Sequence, residues 1–308
     1  MIEIDDLSKR YGHTRAVDHL SFTVHPGRVT GFLGPSGSGK STTMRMILGL
    51  DHPTTGSVRI NRRPYTSYPQ PIQVIGALLD AKAADAKRTA ASHLRWLAYS
   101  NGIPGGRVRE VLSLVGLDDV ADAYVGTFSL GMYQRLGIAV ALLGDPQILM
   151  FDEPLNGLDA EGIIWLRTTL KSFAAQGRTI LLSSHLMSEI AQIADHLVVI
   201  GRGRLLADAP AHEIVAAHAS TSVVVKAARI SELAEHLIAR GGQVLPADSG
   251  AVSVTGLDAT TIGAIAAAAG IGLDELTTRE GSLEQAFLDL THGVTDYRAG
   301  APGHEEGT

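Results

Sequence analysis

The sequence predicts an α/β fold with a mostly parallel sheet that is covered by helices. Apolar runs of strand length alternate with segments of helical periodicity, which is the pattern of such a sheet. One run, residues 29–33, leads directly into a glycine-rich loop and a helix. Asp152-Glu153 and His185 also follow directly after apolar runs. Because ligands bind at the carboxyl ends of parallel strands, these groups can meet at one edge.

The glycine-rich loop fits the phosphate-binding motif G-x-x-x-x-G-K-[ST]. Its residues are Gly34, Pro35, Ser36, Gly37, Ser38, Gly39, Lys40, Ser41 and Thr42. The glycines let consecutive backbone N–H groups point at an anion, and the following helix N-terminus adds partial positive charge. We therefore expect a P-loop NTPase in which Lys40 reaches the β- and γ-phosphates and the Ser41 hydroxyl ligates Mg²⁺.

Composition narrows the class of protein. The 308 residues allow one large or two ordinary domains, and the 45% hydrophobic content supplies a sizeable core. A formal charge of −6 and a pI near 6.0 give no electrostatic case for a nucleic-acid partner. Cysteine is absent, which excludes disulfides and Cys-based zinc sites. The sequence shows no signal-peptide pattern and no apolar run near the ~18 residues of a membrane span, so we expect a cytosolic protein.

The segments around the loop read as follows. Residues 2–4 and 22–24 are expected to be short strands, and Tyr11 lies between them. This aromatic could stack on an adenine ring or could simply end an edge strand. Residues 58–60 and 72–79 are expected to be strands, the second ending at Asp80. Residues 81–123 are helical in character, which suggests a helical insertion spanning about 81–145.

The later motifs also follow predicted elements. Ser129 precedes a helical run at the place of an N-cap. Residues 148–151 read as a buried strand that ends at two carboxylates, Asp152 and Glu153. Residues 179–182 read as another buried strand, which ends at Ser183-Ser184-His185, and residues 197–207 read as a hairpin.

Together these motifs resemble the ATP-binding subunit of an ABC transporter over roughly residues 2–215. The resemblance has six parts in the order of the family: the phosphate loop at 34–42, Asp80 at the glutamine loop, Ser129-Leu130-Gly131-Met132 at the signature loop, Asp152-Glu153 at the end of the Walker B strand, Asn156-Gly157-Leu158-Asp159 as the D-loop, and His185 as the switch histidine. It implies the family's fold, which adds an antiparallel β subdomain.

The resemblance also implies roles for these residues in ATP hydrolysis. Lys40 and Mg²⁺ would neutralise charge on the γ-phosphoryl group, with the metal held by Ser41 and Asp152. Glu153 would be the general base, and His185 would contact the γ-phosphate and hold Glu153 and the water in place.

The implied working unit is a head-to-tail dimer of identical or homologous ATPases. Ser129 and Gly131 of one subunit would meet the partner's ATP, and Asp159 would lie at the same interface. The dimer would dock on a separate multi-pass permease at the inner face of the cell membrane.

Two positions depart from the family pattern. Met132 stands where the family has glutamine in Leu-Ser-Gly-Gly-Gln, and it cannot offer the amide hydrogen bonds. Asp80 stands in place of the glutamine that senses Mg²⁺ and couples the site to the membrane domain. The shorter, negatively charged Asp80 could bind the metal more directly or could loosen the coupling, and we expect it to remain the metal-linked sensor. An acidic residue at the glutamine-loop position and a Ser-Leu-Gly-Met signature resemble the pattern of exporters of drugs, antibiotics and peptide antibiotics.

The C-terminal segment has the pattern of a separate small domain. The order βαββαβ over residues 223–277 matches a ferredoxin-like α+β fold, within an accessory domain placed at 222–291. Residues 282–290 read as a closing helix, and residues 292–308 as a disordered tail.

Two further functions compete with the exporter ATPase. One is an ABC ATPase without transport, acting on ribosomes or DNA, although such proteins usually carry two cassettes, coiled-coil insertions or basic regions. The other is a nucleotide-dependent regulatory switch with weak hydrolysis, against which the intact Glu153 argues.

Overall fold

The structure is a computed structural model that describes residues 1–184, 187–218, 222–247, 250–279, 287 and 290. It divides into two compact units, the first built from Met1–Ala211 and the second from the described part of His212–Asp289. No helix among the described residues is long and apolar enough to cross a membrane.

The first unit contains nine strands and six helices among its described residues. The strands are β1 (Ile2–Tyr11), β2 (Thr14–Val24), β3 (Val29–Leu33), β4 (Thr55–Ile60), β5 (Ile75–Leu78), β6 (Ile148–Phe151), β7 (Thr179–Ser184), β8 (His196–Gly201) and β9 (Arg204–Pro210). The helices are α1 (Lys40–Ile47), α2 (Ala90–Ser100), α3 (Gly106–Leu114), α4 (Leu130–Leu142), α5 (Ala160–Ala175) and α6 (Met187–Ala191).

Six strands form the main sheet, in the order β5-β6-β7-β3-β8-β9. The first five of these run parallel to one another, and β9 pairs antiparallel with β8 at the edge. Every residue of β3, β6, β7 and β8 is buried, as expected for a parallel sheet covered on both faces. The mostly parallel sheet predicted from sequence is therefore confirmed.

The strand expected at 72–79 is shorter than predicted. Pro71 begins a 3₁₀ turn at Pro71–Gln73, and strand pairing covers only Ile75–Leu78. The N–H groups of Gln73 and Val74 donate to the Gln70 and Pro71 carbonyl oxygens within this turn, so they are not available for strand pairing.

The antiparallel subdomain is a three-stranded sheet in the order β2-β1-β4. The short strands predicted at 2–4 and 22–24 are the ends of strands of 10 and 11 residues, which pair from Ile2 with Val24 to Tyr11 with Thr14. The prediction missed their length because register shifts interrupt the alternation of buried and exposed residues. The Phe22 and Phe32 rings, 5.3 Å apart, pack this sheet against the main one.

The helical insertion contains α2, α3 and α4. Thr89 caps α2 by accepting a hydrogen bond from the Ser92 N–H, and Pro104 separates α2 from α3. Ser129 caps α4, which confirms its predicted position. This cap fixes where the helix begins and leaves its first turn on the surface.

The second unit has the order βαββαβ that the sequence predicts. Its elements, preceded by α7 (Ala211–His218), are β10 (Ser222–Ala227), α8 (Ile230–Ala239), β11 (Gln243–Pro246), β12 (Val252–Thr255), α9 (Ala259–Ala268) and β13 (Leu273–Arg279). The sheet order β11-β12-β10-β13 with antiparallel pairs is the ferredoxin-like arrangement. Apart from 287 and 290, the closing helix predicted at 282–290 and the tail at 292–308 lie outside the described residues.

Candidate functional site

The phosphate loop joins the buried strand β3 to helix α1. Gly39, which precedes the helix, has φ +105°, and a Cβ on it would lie 2.4 Å from the Ala16 carbonyl oxygen. A Cβ on Gly34 would lie 2.4 Å from the Ile200 carbonyl oxygen. Both ends of the loop therefore require glycine, one for conformation and close approach and the other for close approach alone.

Lys40 is the first residue of α1, and its side chain folds back over the loop. Its ammonium donates to the carbonyl oxygens of Gly34, at 2.7 Å, and Pro35, at 3.2 Å. Only 7% of the residue is exposed. Burial lowers the pKa of Lys40, while the charges of Glu153 and Asp152 oppose that shift. The loop thus carries a buried cation that faces two carboxylates.

Asp152 follows β6 and is held by hydroxyl groups from the two elements beside it. Ser41 Oγ donates to Asp152 Oδ2 at 2.6 Å, and Ser183 Oγ, on β7, donates to Oδ1. The Ser41 hydroxyl and the Asp152 carboxylate are hard oxygen donors in contact with each other, and such donors suit Mg²⁺. No group of three or more His, Cys, Asp or Glu in the described residues could hold a metal. A cation here would therefore take its other ligands from water and phosphate.

Glu153 has an unusual backbone for a non-glycine residue, with φ +51°. Its N–H donates to Ser183 Oγ at 2.9 Å. Its carbonyl oxygen accepts from Gln134 Nε2 at 3.2 Å and from the Asn156 N–H at 3.2 Å. The carboxylate lies near enough to Lys40 to raise that group's pKa. The predicted base therefore lies at the same sheet edge as the phosphate loop. His185, the predicted switch histidine, falls outside the described residues.

The signature and D-loop segments pack against each other within the chain. A Cβ on Gly131 would lie 2.9 Å from the Gly157 carbonyl oxygen, and a Cβ on Gly157 would lie 2.4 Å from Leu130 Cγ. Ser129 is exposed, and its Oγ accepts from the Met132 N–H at 3.3 Å. Asp159 is also exposed and caps α5 through the Gly162 N–H. The structure thus brings Ser129, Gly131 and Asp159 to one surface region.

Asp80 is exposed and begins a 3₁₀ turn at Ala81–Ala83, where its Oδ1 accepts from the Lys82 N–H at 2.8 Å. Within the described part of the chain, no hydrogen bond joins Asp80 to Ser41 or Asp152. It borders a groove of about 440 Å³ between β5, α2 and α4. The structure thus places Asp80 beside this groove rather than in contact with the metal-ligand candidates.

Tyr11 ends β1, which is the central strand of its sheet rather than an edge strand. It is 48% exposed, and its hydroxyl donates to Asp51 Oδ2 at 3.0 Å. The hydroxyl also contacts Thr42, and Lys9 Nζ lies 4.9 Å from the ring centroid. Desolvation and the Asp51 hydrogen bond raise the pKa of Tyr11. The aromatic ring thus stands beside the end of the phosphate loop.

Comparison with known proteins identifies the family. The family model described as "ABC transporter" matches residues 17–156. The bacitracin transport ATP-binding protein BcrA of Bacillus licheniformis is 43% identical over 213 residues, which cover 68% of this chain and 70% of the relative. The lantibiotic transport ATP-binding protein SrtF of Streptococcus pyogenes is 34% identical over 206 residues, 67% of this chain and 89% of the relative. The chain belongs to the ATP-binding subunits of ABC transporters.

A solved structure supports the same assignment for the fold of this ABC subunit. A structure described as the ATP-binding subunit of an ABC transporter superposes with a TM-score of 0.65 at 28% identity, covering 70% of this chain and 92% of the other. Residues 221–284 match a separate family described as a domain of unknown function (DUF8746). The nucleotide of this ABC ATPase is therefore ATP, and the second unit has a family of its own.

Sequence reasoning missed two side chains that hydrogen-bond to the Glu153 backbone, those of Ser183 and Gln134. Ser183 belongs to the Ser-Ser-His motif, in which the sequence predicts a role only for the histidine. Gln134 is 4% exposed, on the buried face of α4 that also carries Ile138. A buried glutamine at helical spacing among apolar residues requires a hydrogen-bond partner, and this was the available signal.

Proposed function

We propose that this ABC ATPase powers an exporter of antibiotics or peptide antibiotics, with Glu153 as general base. The observation that carries the mechanism is the meeting of a buried Lys40, the Ser41–Asp152 pair and Glu153 at the carboxyl edge of one sheet. Hydrolysis needs a positioned water and neutralisation of the γ-phosphoryl charge, and these residues provide the groups for both.

Each group has one role in the proposed reaction. The loop at 34–42 binds the phosphates through its backbone N–H groups, which every residue except Pro35 carries, and through the Lys40 ammonium, while Tyr11 stacks on the adenine. Ser41 and Asp152 would hold Mg²⁺, which supplies positive charge at the β- and γ-phosphates. Glu153 takes a proton from the attacking water while the water oxygen bonds to the γ-phosphorus. The bond between the γ-phosphorus and the β–γ bridging oxygen breaks, and the bridging oxygen leaves with ADP. His185 would contact the γ-phosphate and hold Glu153.

Two ATPases are proposed to close head to tail around the nucleotides. Ser129, Gly131 and Asp159 would face the partner, and the first two would contact the partner's ATP. The exposure of Ser129 and the 50% exposure of Leu130 support this, since a buried signature loop could not reach another subunit. The partner subunit is either a second copy or a homologous ATPase.

The groove beside Asp80 is the proposed docking surface for a cytoplasmic segment of a multi-pass permease. Its walls are largely apolar and include Leu48, Leu50, Leu79, Trp96 and Leu97. Leu50 and Trp96 remain 58% and 51% exposed, and exposed apolar patches of this kind mark interaction sites. This contact would hold the protein at the inner face of the cell membrane and place Asp80 between the ATP site and the permease.

The cargo class rests on the relatives named for bacitracin and lantibiotic transport. The cassette is proposed to end near residue 215, with an accessory domain at 222–291. Among the alternatives, action on ribosomes or DNA is not favoured, because the net charge is −6 and these two relatives are named for transport.

The deciding experiment is affinity purification of the tagged chain from native membranes in mild detergent. A stoichiometric multi-pass protein is expected, whereas recovery only with ribosomes, DNA or a regulator would refute the exporter proposal. Trp96→Ala should weaken that co-purification and leave the ATPase activity of the isolated chain intact. Tyr99→Ala is the matched control, because Tyr99 is 90% exposed but does not line the groove.

A further inference from the structure

The backbone of Glu153 lies in a conformation that L-residues seldom adopt. Its φ of +51° belongs to the left-handed region, where the Cβ crowds the carbonyl oxygen. Glutamate lacks the short side chain that lets Asn or Asp bond locally in this region. Such a conformation persists only where the surrounding structure over-determines it. The contacts that hold this residue therefore matter for where its side chain can act.

Ser183 holds the amino side of Glu153. Its Oγ accepts the Glu153 N–H at 2.9 Å and donates to Asp152 Oδ1. The residue is fully buried on β7, so water does not compete for its hydroxyl. One hydroxyl thus ties the backbone of the proposed base to the carboxylate of the proposed metal ligand.

Gln134 holds the carbonyl side of Glu153. Its Nε2 donates to the Glu153 carbonyl oxygen at 3.2 Å, and the side chain is 4% exposed. Gln134 belongs to α4, the helix capped by Ser129 of the signature loop. Gly131 of the same helix lies against the Gly157 carbonyl in the loop that follows Glu153. The signature helix therefore contacts the backbone of the proposed base and the loop beyond it.

We propose that Ser183 and Gln134 are positioning residues for ATP hydrolysis, which clamp the Glu153 peptide in its left-handed conformation. Through Gln134, the clamp depends on the position of the signature helix. A shift of that helix on meeting a partner subunit would thereby change the placement of the base in its own subunit. This inference rests on the proposed role of Glu153.

The test compares Ser183→Ala and Gln134→Met in the full chain, with Mg²⁺ and ATP. Methionine keeps the length of glutamine and removes its donor. Each variant should lower kcat by about tenfold or more while KM for ATP stays within about threefold, because the phosphate-binding groups are untouched. Ser183→Thr keeps the hydroxyl and should restore kcat to within about threefold of the native value. Native kcat in both Ser183→Ala and Gln134→Met would overturn the proposal.

Two matched controls separate positioning from packing. Thr30 lies on β3, the strand beside β7, and its fully buried hydroxyl has no hydrogen-bond partner among the described residues, so Thr30→Val removes only that hydroxyl. Ile138→Val loosens the packing of α4 one turn beyond Gln134. Both should keep native kcat, and a tenfold loss in either would attribute the effects to packing and refute the clamp.

Glu153→Gln in the same assay separates this inference from the function it rests on. An active Glu153→Gln would refute the role of the base itself. An inactive Glu153→Gln beside active clamp variants would refute only the positioning.

The double variant Ser183→Ala/Gln134→Met tests whether the two residues act as one clamp. If both residues hold one peptide, the kcat of the double variant should be about that of the less active single variant, because the effects of residues that act on one group are not additive. A fall equal to the product of the two single effects would show independent roles and contradict the shared clamp.

Discussion

The two units of the chain differ in how many polar side chains and strained backbone conformations they contain. Every buried polar or charged side chain in the described residues belongs to the first unit, including Lys40, Gln134, Ser183 and Ser184. The non-glycine residues with positive φ in the described chain, Glu153 among them, also lie there. The described residues of the second unit bury a purely hydrophobic core. Buried polar groups and strained backbones cost stability. Their concentration in the first unit therefore indicates that its sequence is constrained by the ATPase reaction as well as by folding.

The largest predicted effect on activity comes from a substitution in the first unit, Glu153→Gln. This change keeps the size of the side chain and removes its basicity, so kcat should fall by about 10²–10⁴-fold while ATP binding is retained. Phosphate release and binding of a fluorescent ATP analogue measure the two effects. Residual activity within tenfold of the native chain would exclude Glu153 as the base.

The next effect concerns the metal. Asp152→Asn keeps the shape of the side chain and removes a negative charge from the Ser41–Asp152 pair. The Mg²⁺ concentration for half-maximal hydrolysis should rise by about 10–100-fold, as a Mg²⁺ titration at saturating ATP would show.

Asp258→Asn is the control for that titration, because Asp258 caps α9 in the second unit and asparagine caps helices equally well. Its Mg²⁺ dependence should match that of the native chain. An unchanged Mg²⁺ requirement in Asp152→Asn would place the metal elsewhere.

The sequence was sufficient for the parts of the fold that follow from local patterns. The buried strand ahead of Lys40, the Ser129 cap and the βαββαβ order of the second unit all follow from periodicity and turn chemistry, and all are present. The length of β1 and β2 was not predictable, because shifts in pairing register break the alternation and depend on contacts between distant residues.

The candidate site divides in the same way. Motif order was enough to name Lys40, Ser41, Asp152 and Glu153, because each follows directly after a strand or loop of recognisable pattern. The contacts of Ser183 and Gln134 were not predictable, because they join residues 30 and 19 positions away from Glu153. Only the packing of α4 and β7 around that peptide shows why these two polar side chains are buried.

A smaller effect on activity is expected from the core of the second unit. Leu237 is fully buried there, so Leu237→Ala should lower the free energy of unfolding of that unit by about 2–5 kcal/mol. Below its unfolding transition the variant should keep native kcat, measured beside urea unfolding followed by circular dichroism. Leu181→Ala, an equally buried change on β7, should destabilise the first unit and lower kcat as well. Loss of kcat in Leu237→Ala under folding conditions would show that the second unit supports hydrolysis.

The smallest effect concerns the cost of burying Lys40. Burial lowers its pKa below the ordinary value of 10.5, so the unfolded chain binds the Lys40 proton more tightly than the folded chain. The destabilisation is present in full below the folded pKa and disappears as pH rises to 10.5, so this group makes stability rise with pH in that window. Lys40→Met removes the ionisable group, and the stability of the nucleotide-free variant should rise less steeply, or fall more steeply, over that range. Urea unfolding of both proteins in steps up to pH 10.5 measures the difference, and equal slopes would show that the ammonium in the loop is not destabilised by burial.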